Sequence, residues 1–307
     1  MDSPVPSGQQ WTIRSGDHEA VVVEVGGGIR TYRAYGAEVV FGYGEDEISP
    51  GSAGHVLAPW PNRIRDGRYT FAGETYQLSL TEPDRHNAIH GLVNWSRWTL
   101  ESAHEDVVTL VLELVPVPGY PWPLALRTTW RVGADGLRAT HEATNLGATP
   151  APFGLATHPY LHIPGVAVDD LTLQLPGAIR LVVDGRLLPQ GARPVEGSED
   201  DFRAGRRLGS TQLDSAYGDV QRAEDGSSRV FLTAPDGRAI EIWADQAFSW
   251  WQVFTSDALA GARKRAAVAV EPMTCPPDAF RSGRDLVVLE PGQTWRGAWG
   301  ITPRADT

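Results

Sequence analysis

Apolar and polar residues alternate along much of this 307-residue chain. Leu126, Thr128, Trp130 and Val132 alternate with Arg127, Thr129 and Arg131. After Asp135-Gly136, Leu137, Ala139, His141 and Ala143 alternate with Arg138, Thr140, Glu142 and Thr144. A period of two gives one buried and one wet face, the mark of a half-buried strand. Similar segments predict strands over 21–25, 31–35, 107–114, 171–175, 229–233, 240–243, 266–270, 286–289 and 294–301. Asp-Gly pairs begin at Asp66, Asp135, Asp184, Asp225 and Asp236 and supply the positive backbone angles that hairpin turns need. No window of 12 residues shows a 3.6-residue apolar period; residues 256–265 could form a turn or two of helix. Residues 189–209, rich in Gly, Pro and charge, read as the main loop. Gly26-Gly27-Gly28 has no helix pattern behind it and reads as a turn between strands.

Composition agrees with this pattern. The chain holds 33 Gly and 23 Pro, roughly 18% against an average usage of about 12%. Both residues break helices and serve turns, so a helical bundle is excluded. Many antiparallel strands in a chain without repeats or linkers predict one domain over 1–307. The expected fold is all-β, a large antiparallel β-sandwich with a cleft on one sheet. Residues 1–10 read as a flexible tail.

Charge and cysteine content narrow the setting. The net charge is −11, which repels phosphate backbones and argues against nucleic acid as a partner. No apolar run is long enough to span a membrane as a helix. The first ten residues lack the cationic start and apolar core of a secretory signal. Cys275 is the only cysteine, so no internal disulfide can form. A cytoplasmic protein, monomer or homodimer, is expected. No Cys/His spacing suits zinc and no glycine-rich loop suits a phosphate, so no metal or other cofactor is expected.

Four short segments could carry chemistry. Pro59-Trp60-Pro61-Asn62-Arg63-Ile64 is a stiffened loop ending in an amide and a guanidinium, donors suited to a polyhydroxylated ligand. Asn87-Ala88-Ile89-His90-Gly91 offers a histidine beside a glycine. Thr157-His158-Pro159-Tyr160 ends a strand-like run in a histidine whose backbone Pro159 restricts. In the fourth, the apolar run 266–270 leads into Glu271-Pro272; a carboxylate at the mouth of a buried strand is partly desolvated, which raises its pKa toward a useful general-base value. Taken alone, these segments read more readily as a structural turn, a solvated loop histidine and a structural histidine, and Glu271 as readily as a salt-bridged carboxylate. Of the 11 Trp, Trp60, Trp95, Trp98, Trp122, Trp250 and Trp251 lie in or near these polar loops. They suit the stacking of sugar rings, and an aromatic core explains them nearly as well.

In combination these segments resemble the aldose 1-epimerase family, the galactose mutarotases. The matching pieces are the Asn62-Arg63-Ile64 loop, Asn87 to Gly91, Thr157 to Tyr160, Leu213-Asp214, Gln252 to Thr255, and Glu271 followed by Pro276-Pro277-Asp278-Ala279. They follow the family's order over about residues 20–302. The resemblance implies a β-supersandwich and interconversion of the α and β anomers of a free hexose of the glucose or galactose type. It implies that His158 is the general acid at the ring oxygen, that Glu271 is the general base at the C1 hydroxyl, and that His90 is the second active-site histidine. It assigns Asn62, Arg63, Asp214 and Gln252 to the sugar hydroxyls. Pro-Trp-Pro before Asn62, Leu161 after the His-Pro-Tyr motif, and Trp250-Trp251 depart from the commoner pattern and leave the preferred sugar open. Two other readings stay open. One is a hexose 6-phosphate epimerase, with Arg65, Arg68 and Arg97 as candidate phosphate contacts. The other is a carbohydrate-binding protein without catalysis. A glycosidase is disfavoured because only one well-placed carboxylate is visible.

Overall fold

A computed structural model describes residues 5–304. Its strands form two large antiparallel sheets, one of 12 strands and one of nine. The nine-stranded sheet is built around the hairpin with the clearest alternation. Strand Leu124–Gly133 pairs with Gly136–Asn145, and Trp130 faces Ala139 across the ladder. Strands Thr294–Arg304, Ala239–Ala244 and Ser228–Thr233 extend it on one side, and Val107–Leu114 on the other. The middle of the 12-stranded sheet runs through Tyr160–Leu161, Val268–Met273, Trp250–Phe254, Asp214–Val220 and Gly177–Val183.

The inner faces of the two sheets share one apolar core. Trp130, Leu126 and Trp299 come from one sheet, and Tyr217, Trp251, Val253 and Val270 from the other. Two buried polar groups in this core are paired, one within a sheet and one between the sheets. His141, fully buried, meets Thr128 Oγ1 through Nδ1 at 3.0 Å and accepts Trp299 Nε1–H through Nε2 at 3.0 Å. Trp130 Nε1 donates to the Gly27 carbonyl at 2.9 Å, which fastens the triple-glycine turn onto the opposite sheet.

Several sequence expectations change. The segment 189–209 is not one loop: it carries strands Pro189–Pro194 and Arg206–Arg207, each at an outer edge of a sheet. Within 256–265 the only helical piece is the 3₁₀ turn Gly261–Arg263. Gln10 opens the first strand, and the Ser7 and Gln9 carbonyls accept from Val25 and Glu24, so this part of the expected tail is packed. Residues 1–4 lie outside the described residues. Among the described residues no helix is long and apolar enough to cross a membrane.

Candidate active site

Strand alternation explains which side chains leave the core. In Val268–Met273, Val268 and Val270 face the other sheet, so Glu271 projects from the opposite face. In Trp250–Phe254, Trp251 and Val253 point inward, while Gln252 and Phe254 point out. In Asp214–Val220, Tyr217 points inward and Asp214 out. Gln252 is the direct cross-strand partner of Glu271, and Asp214 pairs with Phe254. Three adjacent strands thus put Asp214, Gln252 and Glu271 side by side. Glu271 is not at a strand mouth as its sequence context suggests, because the strand continues through Pro272 to Met273.

Loops bring the remaining groups over this face. Pro159 separates strands Ala156–Thr157 and Tyr160–Leu161, leaving His158 between them. The His158 carbonyl accepts from Gly54 N at 2.9 Å, and its N–H donates to the His55 carbonyl at 3.3 Å. His90 and Asn62 both take left-handed angles, φ 64° and 53°, and His90 N donates to the Asn62 carbonyl at 2.9 Å. Gly91 has φ 77°, and a Cβ there would stand 2.1 Å from the Ala58 carbonyl oxygen. A glycine is therefore required beside His90. The His90 and His158 rings lie 5.5 Å apart, edge to face, and His158 stacks on Tyr160 at 4.9 Å.

All seven residues singled out in the sequence line one cavity of about 260 Å³: Asn62, Arg63, His90, His158, Asp214, Gln252 and Glu271. Ser52, Arg85, Tyr160, Leu187, Phe254 and Leu259 line it too, and sequence reasoning assigned them no role. Tyr160 and Phe254 belong to the segments Thr157 to Tyr160 and Gln252 to Thr255, whereas Arg85 and Leu187 carry no local signal. None of the six tryptophans considered for sugar stacking lines the cavity. Trp60, Trp98, Trp122, Trp250 and Trp251 are buried, and Trp95 packs its edge against His55. Arg65, Arg68 and Arg97 do not line it either: Arg65 pairs with Asp184 at 3.5 Å and Arg97 with Glu24 at 2.9 Å. A second cavity of about 350 Å³, lined by Val39, His162 and Ile240 among others, contains none of these seven residues.

Glu82 fixes the guanidinium of Arg63 through two parallel bonds, Nε to Oε2 at 2.9 Å and Nη2 to Oε1 at 3.0 Å. The same carboxylate accepts from Asn87 Nδ2 at 2.8 Å and Arg85 Nη1 at 3.1 Å. Bidentate pairing gives a guanidinium direction as well as attraction. Replacing Glu82 with Gln should therefore raise KM for the substrate by about tenfold, the scale of one charge-assisted hydrogen bond, while kcat changes less. Equal loss in both parameters would argue against a role in orienting Arg63.

His158 Nε2 and Glu271 Oε1 are 3.4 Å apart, and both side chains are almost completely buried. Burial drives the Glu271 pKa well above the ordinary carboxylic range; the charge of Asp214 adds to this and Arg63 opposes it. Burial also drives the His158 pKa down to about 3, with His55 and Arg63 pushing the same way. His90 falls well below the usual imidazole value, again chiefly through burial. Both shifts favour the state in which the pair holds one proton, either as carboxylic acid with neutral imidazole or as carboxylate with imidazolium. The second form is a base and an acid side by side. Gln252 Nε2 donates to Asp214 Oδ1 at 2.6 Å, which leaves Gln252 Oε1 buried and unpartnered, as is His90 Nδ1. Unpaired buried polar atoms are uncommon in folded proteins.

The sequence matches the aldose 1-epimerase family over residues 9–302. The chain belongs to the aldose 1-epimerase family. It is 33% identical to the Escherichia coli K12 protein YihR, itself uncharacterized, over 94% of this chain and 92% of that protein. It is 28% identical to an E. coli K12 aldose 1-epimerase over 66% of this chain and 60% of that enzyme. Its fold matches a galactose mutarotase-like protein from Clostridium acetobutylicum, with a TM-score of 0.84 at 16% identity, covering 95% of this chain and 94% of the other. A Caenorhabditis elegans aldose epimerase homologue also gives 0.84 at 18% identity, covering 96% and 99%. Family membership supports an epimerase-type enzyme, and the all-β sandwich is the family's fold.

Proposed function

We propose that the protein is an aldose 1-epimerase that interconverts the α and β anomers of a free hexose of the glucose or galactose type. The observation that carries this reading is the 3.4 Å contact between His158 and Glu271, which line one cavity together with Arg63, Asp214 and Gln252. Glu271, as carboxylate, accepts the proton of the C1 hydroxyl. The C1–O1 bond becomes a carbonyl, the C1–O5 bond breaks, and O5 takes a proton from the His158 imidazolium. The open-chain aldehyde turns about C1–C2, and the reverse steps close the ring on the other face. The two groups exchange one proton each per half-reaction and are restored by ring closure, so no covalent intermediate is needed.

Arg63, Asn62, Asp214 and Gln252 hold the sugar hydroxyls in this proposal, and His90 holds the ring oxygen or a hydroxyl next to it. Gln252 Oε1 and His90 Nδ1 have no protein partner, so the amide oxygen can accept from such groups and the ring nitrogen can accept or donate according to its tautomer. The test is polarimetry on freshly dissolved α-glucose and α-galactose. Mutarotation should run faster with the protein than in buffer. Acceleration confined to hexose 6-phosphates, or sugar binding without acceleration, would displace this reading.

A further inference from the structure

Tyr160 lines the cavity with His158 and Glu271, and the chemistry above gives it no part. Its strand places it there. Leu161 faces the core between the sheets, so Tyr160 projects from the other face, where Ala269 is its cross-strand partner. The side chain is buried and shares an apolar cluster with Ala53, Ala267 and Ala269. The Phe254 ring meets it edge to face at 6.4 Å. Its hydroxyl donates to the Gly51 carbonyl at 3.3 Å. Gly51 has φ 58°, and a Cβ there would stand 2.8 Å from the hydroxyl oxygen, so the loop that anchors the phenol needs a glycine.

One face of this anchored ring lies against His158. The two rings are 4.9 Å apart and 19° from parallel. An aromatic face attracts a cation at this range, and does so more strongly when water is excluded. His158 has few other supports. Its Nε2 meets Glu271 at 3.4 Å, its Nδ1 has no hydrogen-bond partner, and the His90 ring stands edge to face at 5.5 Å. Burial, His55 and Arg63 all work against the imidazolium, and its own backbone favours it. The Glu271 carboxylate and the face of Tyr160 are the other groups on its side.

We propose that Tyr160 is a positioning residue that acts through His158: its ring face holds the imidazole toward Glu271 and stabilises the imidazolium that protonates the sugar ring oxygen. This rests on the catalytic reading above. Of the two one-proton forms of the pair, carboxylic acid with imidazole is idle and carboxylate with imidazolium is productive. The negative face of an aromatic ring acts on charge, so it lowers the energy of the productive form and leaves the idle form nearly untouched. The ring carries the effect, and the hydroxyl serves as its anchor.

Two readouts test this. The first is polarimetry on α-glucose and α-galactose. Tyr160→Phe keeps the aromatic face, and its kcat should stay close to the parent's. Tyr160→Leu removes the face, and pentafluorophenylalanine at position 160 keeps the ring's shape but reverses its polarity. Both should lower kcat about tenfold, within the range of a desolvated cation–π contact, while KM changes less. The second readout is nitrogen NMR of histidine-labelled protein near neutral pH, with the His158 signal assigned by its absence from His158→Asn. The parent and the Phe variant should show more imidazolium at His158 than the Leu and fluorinated variants. A fluorinated variant at the parent rate overturns the proposal. So does a Phe variant as slow as the other two, which assigns the effect to the hydroxyl, and so does an equal imidazolium content in all four proteins. A parent that accelerates no sugar overturns the catalytic reading, while the NMR comparison still decides whether Tyr160 stabilises charge on His158.

Discussion

Replacing Glu271 with Gln should cut the rate of mutarotation at least about 100-fold, within the usual range for a positioned acid or base. Glutamine keeps the shape of the side chain beside Gln252 and His158 but cannot accept the C1 hydroxyl proton. A 100-fold loss corresponds to about 2.7 kcal/mol of transition-state stabilisation, and it should appear in kcat with little change in KM, because the sugar-binding groups stay in place. The fold should not suffer. Glu271 is buried with its pKa raised above the unfolded value, so the folded state retains a proton that the unfolded chain gives up. Its contribution to stability is fully present below the unfolded glutamate pKa of about 4.3 and is lost as pH rises through the raised folded value. The Gln variant has no such loss. Its melting temperature should therefore gain on the parent's as pH increases above about 4.3, then hold a constant lead once Glu271 ionises in the folded state. Thermal unfolding measured from pH 4 upward checks the stability side, and polarimetry checks the rate. A near-parent rate would remove Glu271 from the chemistry.

The opposite movement of rate and stability follows from where the carboxyl sits. It is carried on a central strand whose other residues are apolar, and the cost of its burial is what poises it as a base. This position was only partly legible in the sequence. The apolar run before Glu271 marked a buried strand, but Pro272 suggested that the strand ended there. The continuation to Met273 depends on pairing with Trp250–Phe254, which no local pattern reports. Alternation was most readable where one face of a strand is buried and the other wet, as in Leu124–Gly133 and Gly136–Asn145, whose burial pattern alternates residue by residue. It was least readable at sheet edges. Pro189–Pro194 is exposed along nearly its whole length, so nothing selects apolar residues at alternate positions, and the segment read as loop.

The site shows the same division. Prolines and glycines beside Asn62, His158 and His90 pointed to backbone constraints, and the left-handed angles of Asn62 and His90 with the close approach of Gly91 supply them. Arg85 and Leu187 were illegible because they reach the cavity through Arg186, whose bonds to residues 85–87 span about a hundred positions of chain. The tryptophans failed for a different reason. Composition counts aromatic rings without saying which side of a sheet they occupy, and Trp251, one residue before Gln252, necessarily faces the core.

His158→Asn should cut the rate by at least about 100-fold as well, and its pH profile should separate acid catalysis from a structural role. The pair with Glu271 works only while it holds one proton. With two protons the base is gone, and with none the acid is gone. The depressed His158 value of about 3 places the first loss far on the acid side, and the raised Glu271 value places the second on the alkaline side of the ordinary carboxylate range. These are properties of the coupled pair, measured as two apparent steps. The parent rate, followed from pH 5 upward, should stay flat and then fall as pH rises through the upper step. In the Asn variant no imidazolium remains to be lost. Its small residual rate depends on the Glu271 carboxylate alone, so it should rise with pH across the interval in which Glu271 ionises. An Asn variant whose profile keeps the parent's alkaline fall would show that His158 is not the group that supplies the proton, and it would leave the carboxyl of Glu271 as the acid and another group as the base.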